Sequence, residues 1–206
     1  MTVRTAIGRW PALLALCAGL GLLPGACAPA GLAVGAGATA GVASAQERGF
    51  KGTLNDQAIR LEINHLWFQE NVSLYSKVNL QVQEGRVLLT GNVPDPDTRV
   101  NAVRLAWQAK GVREVINEIE IDDASSLSDA ARDAWISTKL RARLLADREV
   151  DAINYSIETV NRSVYLMGIA QNQAELDRVI DHARDTAYVR RVVSYVRLKA
   201  APGAAS

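Results

Sequence analysis

The chain has 206 residues, 23 Lys+Arg against 22 Asp+Glu and 49% hydrophobic residues, room for one or two domains with a core. A net charge of +1 argues against a nucleic-acid binder, and two cysteines exclude a disulfide framework or a multi-cysteine zinc module. His65 and His182 lie far apart, so neither a metal site nor a cofactor is expected.

The first fifty residues are a different material from the rest. No charged residue occurs between Arg9 and Glu47, and both Cys17 and Cys27 lie in that stretch. Arg4 and Arg9 precede an apolar run from Pro11 to Leu23 and then small residues, the layout of an export signal. Three outcomes fit. Leu23-Pro24-Gly25-Ala26-Cys27 matches a bacterial lipobox in its small residues and departs from it at Pro24; residues 1–26 would be removed and Cys27 lipidated. Ala43-Ser44-Ala45 fits cleavage before Gln46, which would release a soluble periplasmic protein. An uncleaved spanning helix is long enough, although Pro24, Pro29 and the glycines oppose it. Residues 27–52 read as a Gly/Ala-rich tether.

Ile59, Ile63 and Trp67 then recur every fourth residue, the mark of an amphipathic helix. Val78, Leu80 and Val82 alternate with Asn79, Gln81 and Gln83 in a strand, Glu84-Gly85 supplies a tight turn, and Val87 and Leu89 continue the return strand. Asp95-Pro96 opens a second helix whose inner stripe is expected to be Val100, Val103, Ala106 and Trp107. Val115, Asn117, Ile119 and Ile121 form a last strand, with Asn117 expected to face inward and satisfy a buried backbone group.

The same series repeats at an offset of 77 residues without a gap. Asp56 aligns with Asp133, and Ile59 and Ile63 with Ile136 and Leu140. Gly91 aligns with Gly168, and Val115, Ile119 and Ile121 with Val192, Val196 and Leu198. The second copy turns at Asn161-Arg162, and its second helix carries Leu176, Val179, Ile180, Ala183 and Ala187. Two domains, 53–122 and 129–199, are thus expected, joined by the polar stretch from Asp122 to Ser128 and followed by a tail, 200–206. The fold class is α+β: two tandem αββαβ modules, each a small three-stranded mixed sheet with two helices packed on one face. Modules this short are expected to pack on each other.

Two such copies, each with a V-x-L-x-G strand end (Val87 to Gly91; Val164 to Gly168), resemble the BON domain family. So does the run Gly111-Val112-Arg113-Glu114-Val115-Ile116-Asn117-Glu118-Ile119, from which the second copy departs at Tyr188 and Ser194. With the lipobox and tether, the order resembles the dual-BON outer-membrane lipoproteins of Gram-negative bacteria. That resemblance implies a protein lipid-anchored on the periplasmic face of the outer membrane, non-enzymatic, that binds anionic phospholipid through the first helix of its second domain and supports envelope integrity.

The two copies act as mutual controls, because residues peculiar to one copy are candidates for function. On the helix from Arg132 to Ala146, Arg132, Trp135, Lys139 and Arg143 fall within an arc of roughly 80° beside the Ile136-Leu140-Leu144 stripe. A tryptophan among cations suits a membrane interface, where each base adds about 1 kcal/mol toward an anionic surface. The first copy has Asn55, Ala58, Glu62 and Leu66 there. Residues 53–122 carry 7 basic and 10 acidic groups, net −3, whereas 129–199 carry 12 and 10, net +2. The same pattern also suits a tryptophan packed between the copies with its neighbours solvated; the resemblance favours lipid. Alternatives are a periplasmic protein-interaction module with an envelope protein partner and an osmotic-stress protein soluble after cleavage before Gln46. No catalytic residue is expected: Asp95, Asp97, Asp147, Glu149 and Asp151 read as caps and turns.

Overall fold

A computed structural model of the chain describes residues 49–122 and 127–200. The export signal, Cys27, most of the tether and the tail lie outside the described residues. The first module runs α1 (Gly49–Glu70), α2 (Val72–Lys77), β1 (Val78–Gln83), β2 (Arg86–Val93), α3 (Pro96–Ala106) and β3 (Glu114–Ile121). The second runs α4 (Leu127–Ala146), a 3-10 turn (Ala152–Asn154), β4 (Tyr155–Val160), β5 (Ser163–Ala170), α5 (Gln173–Arg184), β6 (Arg191–Ser194) and β7 (Arg197–Leu198). The αββαβ order is therefore present twice. Two details differ from expectation: α1 begins inside the segment read as tether, and α2 is an extra turn that the second module replaces by a 3-10 turn.

Each sheet is mixed. β1 and β2 pair antiparallel with Leu80 opposite Leu89, and β2 and β3 run parallel, joined by the α3 crossover. β4, β5 and β6 repeat that order, and β7 continues along β5 in the register of β6. The last strand is interrupted after Tyr195, whose N–H still donates to the Leu166 carbonyl (2.8 Å) while its carbonyl accepts from Arg86 Nη1 of the first module (2.9 Å) and its hydroxyl donates to Glu118.

The helix stripes of α1 and α4 are buried as their spacing predicts, with Ile59, Ile63 and Trp67 in one core and Ile136, Leu140 and Leu144 in the other. The α3 stripe is corrected. Its inward residues are Ala102, Leu105 and Ala106, while Val100 and Trp107 are exposed. Trp67 fills the space between α1 and α3 and donates its indole N–H to the Ala102 carbonyl (3.1 Å), so only small residues fit at that contact. Ala187 is likewise exposed, and Thr186 takes the inward position. Asn117 and Ser194 are exposed rather than inward, on the outer strand of each sheet; each accepts from the backbone N–H two residues on, at Ile119 (3.2 Å) and Val196 (3.4 Å).

Both hairpins turn through two residues of positive φ, Glu84-Gly85 (53° and 73°) and Asn161-Arg162 (49° and 64°). Non-glycine residues rarely hold such angles. A buried carboxylate from the first helix explains how three of the four do: Asp56 accepts from the N–H groups of Glu84 and Gly85 (3.0 Å each), and Asp133 from those of Asn161 (2.7 Å) and Arg162 (2.9 Å). The shared Asp56 and Asp133 are thus turn anchors. The shared glycines mark close approach, since a Cβ on Gly91 would lie 2.2 Å from the Lys77 carbonyl and one on Gly168 2.6 Å from that of Asn154.

The helix-free faces of the two sheets meet. Leu88 packs there with Val160, Tyr165 and Met167, edged by Ile116, Val193 and Tyr195. Every residue of β5 is consequently buried. Polar pairs frame this contact: Asn79 and Gln81 donate to Glu158 (3.1 and 3.3 Å), Asn161 donates to Glu120 (2.6 Å), and Arg191 donates to the Tyr165 hydroxyl (3.0 Å). The layers run helices, sheet, sheet, helices, and both modules fall in one compact unit. The outer faces of α1 and α4 are left to solvent.

Candidate functional site

The inner face of α4 is fully committed to the second core, so what the helix can offer a ligand sits on its outer flank. Trp135 is 45% exposed there and does not pack between the modules. It is not alone. Tyr188, in the loop after α5, meets it edge to face with ring centroids 5.6 Å apart and is itself 61% exposed. Two large rings held together at the surface form an apolar prominence.

The backbone under Tyr188 is unusual. Its φ is +72°, in the left-handed region that disfavours side chains. The equivalent residue of the first module is Gly111, with φ +97°. The chain bend belongs to the fold in both copies, and the second copy places an aromatic on it at a cost of about 1 kcal/mol or more in backbone strain. Trp135 is matched by Ala58, and the first module has a hollow of about 590 Å³ beside Ala58 and Gly111. One module therefore presents a ring pair where the other presents a depression.

The three cations named with Trp135 divide. Lys139 is exposed. Arg132 is bound to Asp129 one turn back (3.0 Å). Arg143 reaches the C-terminal end of α5, donating weakly to the His182 carbonyl (3.5 Å) and the Thr186 hydroxyl (3.4 Å), where a cation complements the helix dipole. The four residues thus share one helix flank without forming one cluster. Arg190, two residues beyond Tyr188, adds an exposed positive charge on the same loop.

Two features escaped the sequence reading. Tyr188 was visible there only as a departure from glycine between the repeats, and that kind of exception is the signal that could have flagged it. The other is the contact of His182 Nε2 with Asp147 Oδ2 (2.7 Å), which ties α5 to the end of α4; this bond holds the Asp147 carboxyl below its ordinary range. Among the described residues no group of three or more His, Cys, Asp or Glu is placed to hold a metal ion, and no helix is long and apolar enough to cross a membrane. Cys27 lies outside the described residues.

Comparison with known proteins follows the repeat. The BON domain family model matches twice, at residues 55–123 and 132–200. A protein of Anaplasma centrale described as an uncharacterized protein in the gshII 5′ region is 47% identical over 71% of this chain and 96% of its own length. The outer membrane lipoprotein DolP of Haemophilus influenzae is 28% identical over 68% of this chain and 72% of its own. The osmotically-inducible protein Y of Escherichia coli is 25% identical over 71% and 74%.

Proposed function

The chain belongs to the BON domain family, whose model matches it twice, and from that premise we propose that it is a non-enzymatic envelope lipoprotein whose second module binds anionic phospholipid. The observation that carries this reading is the exposed Trp135–Tyr188 pair on a module of net positive charge. Aromatic rings of this kind favour the headgroup level of a bilayer. Lys139 and Arg190 supply the nearby charge, each worth about 1 kcal/mol at an anionic surface, while Arg132 is paired within α4 and Arg143 ties α4 to α5, both contributing at longer range. Similarity to a relative named an outer membrane lipoprotein supports the compartment, and the lipobox ending at Cys27 supports an acyl anchor. One anchor and one weaker headgroup contact would bind as a pair, raising the effective concentration of the second module at the bilayer and so supporting envelope integrity.

The test is co-sedimentation of residues 28–206, which lack the acyl anchor, with phosphatidylglycerol vesicles against phosphatidylcholine vesicles. Trp135→Glu removes a ring and adds a repelling charge, a loss of about 2 kcal/mol, so binding to the anionic vesicles should fall at least tenfold. Binding by the parent should weaken as salt rises. Equal binding by variant and parent would refute the site. A salt-independent interaction would point instead to an apolar protein-docking face, and a mature N-terminus at Gln46 rather than acylated Cys27 would make the protein a released periplasmic one.

A further inference from the structure

Helix α1 carries a second apolar stripe that its own module leaves mostly exposed, with Phe68 meeting Tyr75 of α2 edge to face at 6.0 Å between ring centroids. Opposite the buried Ile59-Ile63-Trp67 face lie Leu54, Ala58, Leu61, His65 and Phe68, and Val72 continues the line at the start of α2. Successive steps are four, three, four, three and four residues, the spacing of a helix that packs along another helix. Leu54, Leu61, Phe68 and Val72 are each more than half exposed, Leu61 at 70%. Ala58 and His65 are exposed as well. The stripe is about 27 Å long at 1.5 Å per residue. Contiguous exposed apolar surface of this extent marks an interaction site.

The residues beside the stripe decide what it meets. Five of the six flanking positions are amides, Asn55, Gln57, Asn64, Gln69 and Asn71, and the sixth, Glu62, already accepts from the Lys110 backbone N–H (3.1 Å). Lys51, three residues before Leu54, is an exposed cation at the end of the stripe, but the positions flanking it from Asn55 to Asn71 hold no cation, in contrast to α4. Amides do not repel a copy of themselves. The stripe also complements itself when reversed: Leu54 then lies level with Val72, Leu61 with His65, and small Ala58 with large Phe68, each pair occurring twice. A parallel arrangement would instead set Phe68 against Phe68 and leave a gap at Ala58. Either arrangement is two-fold, the same patch serving both partners, so the match of large to small residues decides for the reversed one.

We propose that α1 pairs antiparallel with α1 of a second copy, about a two-fold axis level with Ile63. The six positions of each copy would bury on the order of 1,000 Å² in total, the lower limit of a specific interface. The dimer is therefore reversible and favoured where copies are concentrated. His65, the polar position in the seam, lies level with Leu61 and lowers the stability of the pair.

The experiment uses the full chain exported in cells, whose own cysteines are limited to Cys17 and Cys27; the parent chain serves as the background. Leu54→Cys and Val72→Cys chains with different tags are expressed together and oxidised. A covalent heterodimer is expected from the mixture, at least tenfold above the covalent homodimer of either variant. Leu61→Lys in both chains should reduce it at least tenfold while protease resistance shows the fold retained, since Leu61 is mostly exposed. Absence of the heterodimer, preferential cross-linking of Leu54→Cys with itself, or indifference to Leu61→Lys would each overturn the proposal. So would a Leu61→Lys chain that forms no less heterodimer and loses vesicle binding, because the stripe would then face lipid. Trp135→Glu should leave the cross-link unchanged, which separates this surface from the one on α4.

Discussion

Tyr188 and Gly111 occupy one position of the repeat and one backbone conformation, and they differ in what they present to solvent. Replacing Tyr188 by glycine relieves about 1 kcal/mol of left-handed strain and removes an edge-to-face contact worth about 0.5–1.5 kcal/mol. These changes nearly cancel, so Tyr188→Gly should unfold in denaturant within about 0.5 kcal/mol of the parent while binding phosphatidylglycerol vesicles several-fold more weakly. A tyrosine present only for packing would change stability and leave binding alone. The opposite case is Asp56 and Asp133, which hold the hairpin turns in both copies. The repeat pairing made these aspartates visible as shared; their task could not be read from it, because the N–H groups they accept from are 28 and 29 residues away.

Among the elements, β2 illustrates how closely the chain must pass its neighbours. Gly91 has φ +124°, and a Cβ there would overlap the Lys77 carbonyl at the junction of α2 and β1. Gly168 has the tight approach without the positive φ. Both glycines can be anticipated from the shared V-x-L-x-G strand ends, and their ranking cannot. Gly91→Ala should cost about 3 kcal/mol or more, combining overpacking and left-handed strain. Gly168→Ala should cost less, and denaturant titration of the two variants compares them. Among the helices, α1 and α4 were legible because large apolar residues face inward. The α3 stripe was right at Ala106 and in part at Val103 and wrong at Val100 and Trp107, which are turned outward while alanines pack under Trp67.

At the scale of the whole molecule, the sheet-to-sheet contact packs the modules into one compact unit. Glu158 lies beside it, and burial raises its carboxyl above the ordinary range despite the hydrogen bond from Gln81 and the charge of Arg141. A raised pKa in the folded state means that this group favours folding below its unfolded value of about 4.5 and that the contribution is lost as pH rises through the folded value. Glu158→Gln keeps an acceptor for the amides of β1 and removes the buried charge. Its stability relative to the parent should therefore rise between about pH 4 and 7 in denaturant titrations. A constant difference across that range would mean that the carboxylate is fully solvated.

The sequence by itself determined the two copies, the α+β order of each, the inward stripes of α1 and α4, and the places where the hairpins turn. These depend on short-range periodicity and on the φ angles that particular residues tolerate. Only the tertiary structure decided which strand faces are covered. Leu88, Tyr165 and Met167 fill the contact between the sheets, and the outer flanks of α1 and α4 remain open. An apolar residue in a strand carries no mark of whether helix, sheet or solvent lies above it; that follows from how distant elements pack. The same holds for Trp135 and Tyr188, 53 residues apart in the chain and joined because α5 returns the chain to the flank of α4.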